Sequence, residues 1–152
     1  MANVEPIAPT IDFEVLLTPI AGDNPAGEPM QYSGLYDEIR EARRADDTSV
    51  SYGAWQTELK VADFRKVVEL ATTALSTQTK DLQIAVWLTE ALTGQYGFAG
   101  FRDGLQLIRR LEEDFWDTLY PEIDEGDMEA RANAIDWMNT QKGLTLSLKK
   151  FR

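Results

Sequence analysis

The segment from Lys80 to Thr93 constrains the fold of this chain more than any other part of the sequence. Wound as a helix, it leaves almost no polar face, because its apolar residues point in every direction: Leu82, Ile84, Ala85, Val86, Trp87, Leu88, Ala91 and Leu92. A helix that is apolar all round is normally buried. We therefore predict that residues 80–93 form the central helix of a bundle, with Trp87 in the core. Thr79 or Thr77 is the predicted cap, and Asp81 complements the helix dipole.

Four other segments carry apolar residues at the spacing of a helix that buries one face. The predicted helices span residues 35–45, 63–76, 98–120 and 128–139. Asp63 and Asp127 stand where N-caps are expected, and Pro121 stops the long helix that precedes it. Its predicted core stripe is Phe101, Leu105, Ile108, Leu111, Phe115 and Leu119. The inward residues predicted for the last helix are Met128, Ala132, Ile135 and Met138.

The two ends of the chain differ from this helical region. Residues 1–33 are rich in proline and glycine, which predicts an extended lead-in with one short helix over residues 11–17, capped by Thr10. The bundle is assigned to residues 34–140. Residues 141–152 are predicted to be a truncated tail or the start of a linker, in which residues 144–151 could form a short helix or a strand. The predicted fold class is all-α, a bundle of about five main helices.

Composition excludes several kinds of site. The chain has no cysteine and no histidine, which excludes disulfide scaffolds, zinc fingers, iron–sulfur clusters, cysteine nucleophiles and Ser-His-Asp triads. It carries 15 Lys and Arg against 26 Asp and Glu, a net charge of −11. An acidic surface repels nucleic acid and anionic membranes and suits a basic partner. No apolar run approaches the roughly 20 residues of a membrane span. We therefore expect no nucleic-acid partner and no membrane insertion.

Two loops contain residues that could bind a phosphate group or a metal ion, but neither matches the motif that such a site requires. The turn Gly22-Asp23-Asn24-Pro25-Ala26-Gly27 lacks the Gly-Lys-Ser/Thr of a phosphate loop. The acidic run that begins at Asp124 places Glu129 where a calcium loop needs glycine and Ile135 where it needs glutamate. We therefore predict no metal, no cofactor and no catalytic residue.

The aromatic residues indicate a protein interface. Trp116 and Tyr120 lie one turn apart on the edge of the predicted fourth helix, and Trp137 lies on the fifth. Trp and Tyr are enriched at the centres of interfaces, although such residues also seal helix contacts. The acidic loop between these helices would steer a basic partner. The candidate interaction residues are Trp116, Tyr120, Trp137, Glu122, Asp124 and Glu125.

Several parts of the chain resemble a known family in order and at close spacing. They are Leu16-Leu17-Thr18-Pro19-Ile20 with the Gly22–Gly27 turn, Tyr36-Asp37-Glu38-Ile39-Arg40-Glu41-Ala42-Arg43, the segment Lys80–Leu92, and the pair Gly97–Leu105 and Phe115–Glu122, followed by Asp136-Trp137-Met138-Asn139. The chain resembles the ImpA N-terminal domain, which TssA proteins of bacterial type VI secretion systems share. The resemblance covers about residues 16–140.

The resemblance implies a cytoplasmic, non-enzymatic assembly protein. TssA proteins take part in building the baseplate and the contractile sheath around its inner tube, so baseplate and sheath or tube proteins are the implied partners. Rings form through a C-terminal domain that this chain lacks, and we therefore expect either the N-terminal domain expressed alone or a truncated product. Two alternatives stay open at this point: an acid-only hydrolase or lectin-like domain, and an acidic inhibitor module.

Overall fold

A computed structural model describes residues 5–46 and 59–140, together with residues 144, 148 and 149. It contains six helices within these residues: α1 Phe13–Leu17, α2 Leu35–Arg43, α3 Phe64–Thr77, α4 Leu82–Tyr96, α5 Phe98–Phe115 and α6 Glu129–Thr140. The same residues contain isolated β-bridges but no sheet. The predicted all-α bundle of five main helices with one short helix before it is confirmed.

Helix α4 lies at the centre of the bundle. Every residue from Ile84 to Thr93 is buried, and α4 contacts α2, α3, α5 and α6. The Trp87 side chain is only 4% exposed and meets the ring of Tyr36 edge-on, with 5.0 Å between the ring centroids. The prediction that the apolar segment forms a buried central helix is therefore confirmed.

Helices α4 and α5 approach each other closely because glycines face α4. A Cβ atom added to Gly100 would lie 2.1 Å from the Leu92 carbonyl oxygen, and one added to Gly104 would lie 2.4 Å from Oγ1 of Thr89. This close contact turns Gly100, Gly104 and Leu107 inward and leaves Leu105 42% exposed. The predicted core stripe was therefore wrong at Leu105.

Helix α5 ends at Phe115 and does not continue to residue 120 as predicted. The following residues turn away and run beside the segment that leads into α4. The Tyr120 amide donates to the Lys80 carbonyl at 3.0 Å, and the Leu82 amide donates to the Tyr120 carbonyl at 2.8 Å. Pairing with a segment about forty residues away thus ends the helix before Pro121 is reached.

Two helix starts and one helix face also differ from the prediction. Asp12 caps α1 in place of Thr10, and Asp81 caps α4 in place of Thr79 or Thr77. Asp63 caps α3 as predicted. Helix α6 turns Arg131 and Ala134 inward and leaves Met128 and Ala132 exposed, so the predicted inward face was wrong at those two residues.

The lead-in packs on the bundle through hydrogen bonds. The amide and hydroxyl groups of Thr10 both donate to Oδ2 of Asp103, at 2.7 and 2.8 Å. Farther along, the Lys80 amide donates to the Ala26 carbonyl at 2.7 Å. Near the other end, Leu144, Leu148 and Lys149 are helical. Leu144 is buried, Leu148 is half-buried and Lys149 is exposed. The sequence also predicts a polar loop over residues 46–55, because they are mostly polar or turn-forming. Apart from Asp46, this loop lies outside the described residues.

Candidate functional site

The end of the bundle where α5 stops and α6 begins carries some of the predicted interaction residues, namely Trp116 and those of the acidic loop. Trp116 caps the C-terminus of α5 and is 43% exposed. The guanidinium group of Arg131 lies over its ring, 4.8 Å from the ring centroid. Met128, one turn before Arg131 on the chain, is 49% exposed. We call the exposed Trp116 side chain and the Arg131 group that lies over it the Trp116 patch.

Arg131 is the residue that builds this end of the molecule. Arg131 is buried, and its guanidinium group donates hydrogen bonds to three carbonyl groups, those of Trp116, Leu119 and Pro121. These acceptors lie at and just after the C-terminus of α5, where carbonyls lack helical partners and a cation is favoured. Arg131 therefore holds Trp116 in place, and its positive charge is balanced by these three carbonyl groups.

The acidic loop, residues 122–127, lies beside this patch. The side chains of Glu122, Asp124 and Glu125 are all exposed. The loop is held by reciprocal backbone hydrogen bonds between Asp124 and Asp127, and Oδ1 of Asp127 accepts from the Glu129 amide at 2.8 Å. Asp127 therefore caps the start of α6 as predicted, while the other three carboxylates face solvent.

Tyr120 lies apart from the Trp116 patch. Its side chain is 6% exposed, and its hydroxyl group donates to the Gly27 carbonyl at 3.0 Å and accepts from Nδ2 of Asn24 at 3.4 Å. Burial, together with the nearby charges of Glu122 and Glu28, raises the pKa of Tyr120. Its contacts join the lead-in to the bundle and are not available to a partner.

Trp137 is half-buried and packs against the core near the other end of α6. The guanidinium group of Arg43 lies 4.7 Å from the centroid of its ring, and Arg43 also bonds both carboxylate oxygens of Glu90, at 3.0 and 2.9 Å. Trp137 follows Arg131 by six residues, which is about 9 Å along a helix. The structure therefore does not bring Trp137 and Trp116 into one patch.

A groove that sequence reasoning missed lies beside the acidic loop. Its volume is about 450 Å³, and it lies between α2, the starts of α4 and α6, and the segments around Met30 and Pro121. Its lining includes Tyr36, Arg40, Asp81 and Glu122. The hydroxyl group of Tyr36 donates to Oδ2 of Asp81 at 2.6 Å. The two residues are 45 positions apart, and no local pattern in the sequence indicates that they meet.

Asp81 is a buried carboxylate with neutral hydrogen-bond donors. Its side chain is 1% exposed, and Oδ1 accepts from the Ile84 amide at 3.1 Å. Burial raises the pKa of Asp81 to about 6, although hydrogen bonds from Tyr36 and from backbone amides oppose this shift. The same interaction and burial raise the pKa of Tyr36. Sequence reasoning assigned Asp81 only to the helix dipole.

Lys80, next to Asp81, is fully buried and bonds only to carbonyl groups. Its Nζ donates to the Leu16 carbonyl at 2.7 Å and to the Leu75 carbonyl at 2.6 Å, and it lies 5.5 Å from the centroid of the Phe115 ring. Burial lowers the pKa of Lys80 to about 8. Lys80 therefore joins the ends of α1 and α3 within the core.

Among residues 5–46, 59–140, 144, 148 and 149, no three acidic side chains are grouped so that they could hold a metal ion. Within those same limits, no helix has both the length and the apolar character that a membrane crossing requires.

Comparison with known proteins is consistent across sequence and structure. The family described as "ImpA, N-terminal, type VI secretion system" matches residues 17–140. The chain is 28% identical over 128 residues to type VI secretion system component TssA1 of Pseudomonas aeruginosa, covering 82% of this chain and 37% of that protein.

A solved structure shares the fold. It is the N-terminal domain, including the conserved ImpA_N region, of the TssA component of the type VI secretion system from Burkholderia cenocepacia. The TM-score is 0.71 at 35% identity, and the match covers 90% of this chain and 50% of that one. The chain thus spans about half or less of the relatives that it matches. Because the family match extends over most of its length, this chain belongs to the ImpA N-terminal family of the type VI secretion system.

Proposed function

We propose that this chain is a non-enzymatic protein-interaction domain of a TssA-like assembly factor and that it acts in the cytoplasm. In this proposal it docks to baseplate proteins and to sheath or tube proteins while the contractile tail is built. Family membership supports the link to the secretion machinery, and the relatives are components of that machinery. In the same proposal, self-association of the whole protein depends mainly on a part of it that this chain does not span.

The observation that carries the docking proposal is the Trp116 patch beside the acidic loop. Trp116 is an aromatic side chain that is held rigidly by Arg131 and still nearly half exposed. Three exposed carboxylates next to it, on Glu122, Asp124 and Glu125, add a negative field. Interfaces depend on a few aromatic anchors, and charge complementarity raises the association rate. This combination suits a basic partner surface.

Such a contact can be weak in one copy and still hold. If the whole protein assembles into a ring through another region, each ring presents several copies of this domain. Once one copy has bound, the linked copies are present at a high effective concentration near the partner, so several weak contacts together give tight binding. The isolated domain is then expected to be a monomer or weak dimer that captures its partner in a salt-sensitive way.

The test reverses the charge of the acidic loop. Glu122, Asp124 and Glu125 are changed together to Lys, and Asp127 is kept because it caps α6. The matched control changes three exposed acids elsewhere, Glu5, Asp23 and Glu69, to Lys, which shifts the net charge equally. Stability is measured by thermal unfolding, and capture of purified baseplate and sheath proteins is measured at low and high salt.

The expected result is that the acidic-loop variant folds normally and loses capture, whereas the control variant keeps both. Trp116→Ala should weaken capture with little change in folding, because its ring is partly exposed. Normal capture by the acidic-loop variant would remove this loop from the interface. Equal loss in both variants would show that net charge, and not this loop, controls binding.

A further inference from the structure

Asp81 differs from the other buried carboxylates of the described residues because no cation pairs with it. Glu90 pairs with Arg43 at 2.9 Å, and Asp103 pairs with Arg102 at 2.9 Å. The hydrogen-bond donors to Asp81 are the Tyr36 hydroxyl group and backbone amides. At neutral pH a carboxyl group with a pKa of about 6 is mostly ionised. An ionised, buried and unpaired carboxylate is costly to a protein, and such groups are frequent at binding sites.

Arg40 is the one cation that lines the groove in the part of the chain that the structure describes, and its guanidinium group contacts other residues. The guanidinium group of Arg40 lies over the rings of Tyr36 and Trp87, at 5.7 and 5.6 Å from their centroids. It also bonds the exposed carboxylate of Asp37 at 3.3 Å. Arg40 therefore forms one wall of the groove and does not pair with the carboxylate of Asp81 at its floor. Glu122 adds a second negative charge to the lining.

The shape and lining of the groove favour a polypeptide. Its volume of about 450 Å³ lies within the range of roughly 300–1,000 Å³ that ligand pockets occupy. Apolar side chains of Pro29, Met30, Pro121 and Ala130 supply contact area. Gln31 and Gln83 supply amide groups that can both donate to and accept from a peptide backbone.

We propose that this groove binds an extended segment of a partner protein through a lysine or arginine side chain that reaches Asp81. The groove is a second contact beside the Trp116 patch, and Glu122 belongs to both. An incoming cation would form a charge-assisted hydrogen bond with Asp81, and such bonds are stronger than those between neutral groups. The proposal rests on the proposed function only in that the ligand is a protein segment.

Blocked pentapeptides test the proposal directly. The probe is acetyl-Ala-Leu-Arg-Leu-Ala-amide, compared with the same peptide carrying lysine, citrulline or glutamate at the centre. Binding is followed by calorimetry and by NMR shifts of Tyr36 and Ala130. The arginine and lysine peptides should bind at least about tenfold more tightly than the citrulline peptide, which keeps the shape and removes the charge. Acetyl-arginine amide, lacking flanking residues, should bind more weakly still.

Two variants of the whole chain locate the site. Asp81→Asn keeps one oxygen that can accept from the Ile84 amide and cap α4. The amide nitrogen that replaces Oδ2 can donate to the Tyr36 hydroxyl oxygen, so the fold should remain, but binding should weaken at least about tenfold. Ala130→Trp places a large ring in the groove without touching Asp81 and should block every peptide. Glu69→Gln, on the exposed face of α3 and outside the groove, serves as the control and should bind normally.

The outcomes separate this proposal from the docking proposal. Equal binding of the citrulline and arginine peptides, or unchanged binding by Asp81→Asn and Ala130→Trp, would overturn it. Binding of acetyl-arginine amide as tight as that of the pentapeptide would show a small-molecule site and overturn the peptide assignment. A domain that captures its partner through the acidic loop but ignores every peptide would contradict the groove proposal alone.

Discussion

The ammonium group of Lys80 donates a hydrogen bond of 2.7 Å to the carbonyl oxygen of Leu16, 64 residues earlier in the chain. A second bond of 2.6 Å reaches the Leu75 carbonyl in the last turn of α3. Carbonyl groups at helix ends carry partial negative charge, which favours a cation. Lys80 therefore connects three parts of the chain from inside the core, without an acidic partner among the described residues.

Replacing Lys80 by methionine should destabilise the domain at neutral pH. Lys80→Met keeps the length of the side chain but leaves two buried carbonyl groups without their donor, at a cost of about 1–3 kcal/mol for such a group. Urea unfolding at about pH 7 measures the difference. A variant as stable as the parent chain would show that these two bonds contribute nothing net.

The stability of the parent chain should rise between about pH 8 and pH 10, because burial lowers the pKa of Lys80 from 10.5 to about 8. In this window the unfolded chain binds more protons than the folded one, so the free energy of unfolding increases with pH. Above about pH 10 the raised pKa of Tyr36 works in the opposite direction. Lys80→Met should lack the rise, and parallel pH profiles for the two proteins would contradict this assignment.

Tyr36→Phe should destabilise the domain by about 1–3 kcal/mol at neutral pH, because it removes the hydroxyl group that donates to Asp81. The loss should shrink at about pH 5. Since the folded pKa of Asp81 is raised to about 6, acid protonates the carboxyl group in the folded state first and removes the unpaired charge. Chemical unfolding at both pH values measures the effect. Tyr32→Phe is the control, because Tyr32 is 92% exposed.

Gly100→Ala should destabilise the domain more than Gly94→Ala. The new Cβ atom at Gly100 would meet the backbone carbonyl of Leu92, which cannot move without separating α4 from α5. At Gly94 it would meet the ring of Phe64, a side chain that can shift. Overpacking of this kind costs about 1–3 kcal/mol. Thermal unfolding of both variants tests the order, and equal melting temperatures would contradict it.

Arg131→Lys should lower stability by about 2 kcal/mol or more, because an ammonium group cannot reach three carbonyl groups as a planar guanidinium group does. The fluorescence of Trp116 should also change, since Arg131 lies over its ring. Arg109→Lys provides the comparison: Arg109 pairs only with Glu113 on the surface of α5, where ion pairs contribute little. If the fluorescence of Trp116 changed while the stability of the domain stayed normal, Arg131 would position Trp116 without stabilising the fold.

The sequence predicted the helices well where the apolar period was strong. The apolar segment that became α4 and the capped start of α3 at Asp63 needed only local information. The end of α5 was missed because its cause is pairing between Tyr120 and the Lys80–Leu82 segment, which no local pattern records. Leu105 is exposed for a similar reason. Gly100 and Gly104 let α4 pack closely against α5, and this contact determines which face of α5 is buried.

The candidate site was harder to predict than the fold. Trp116 and the acidic loop could be found because aromatic and acidic residues cluster in the sequence itself. Arg131 could not, because a single arginine in a helix normally indicates a solvated face, whereas here three carbonyl groups draw it inward. The Tyr36–Asp81 pair likewise depends on how α2 crosses the start of α4.

The attachments of the lead-in follow one another along the chain, which has a mechanical consequence. Tension applied at the N-terminus of the chain reaches the bonds between Thr10 and Asp103 early. It reaches the buried bond from Lys80 to the Leu16 carbonyl next, and the bond between Lys80 and Ala26 afterwards. Because these later bonds end on the residue that leads into the central helix, a pulling force would break the Thr10 attachment while the bundle stays intact. The lead-in can therefore lengthen under load before the helices separate.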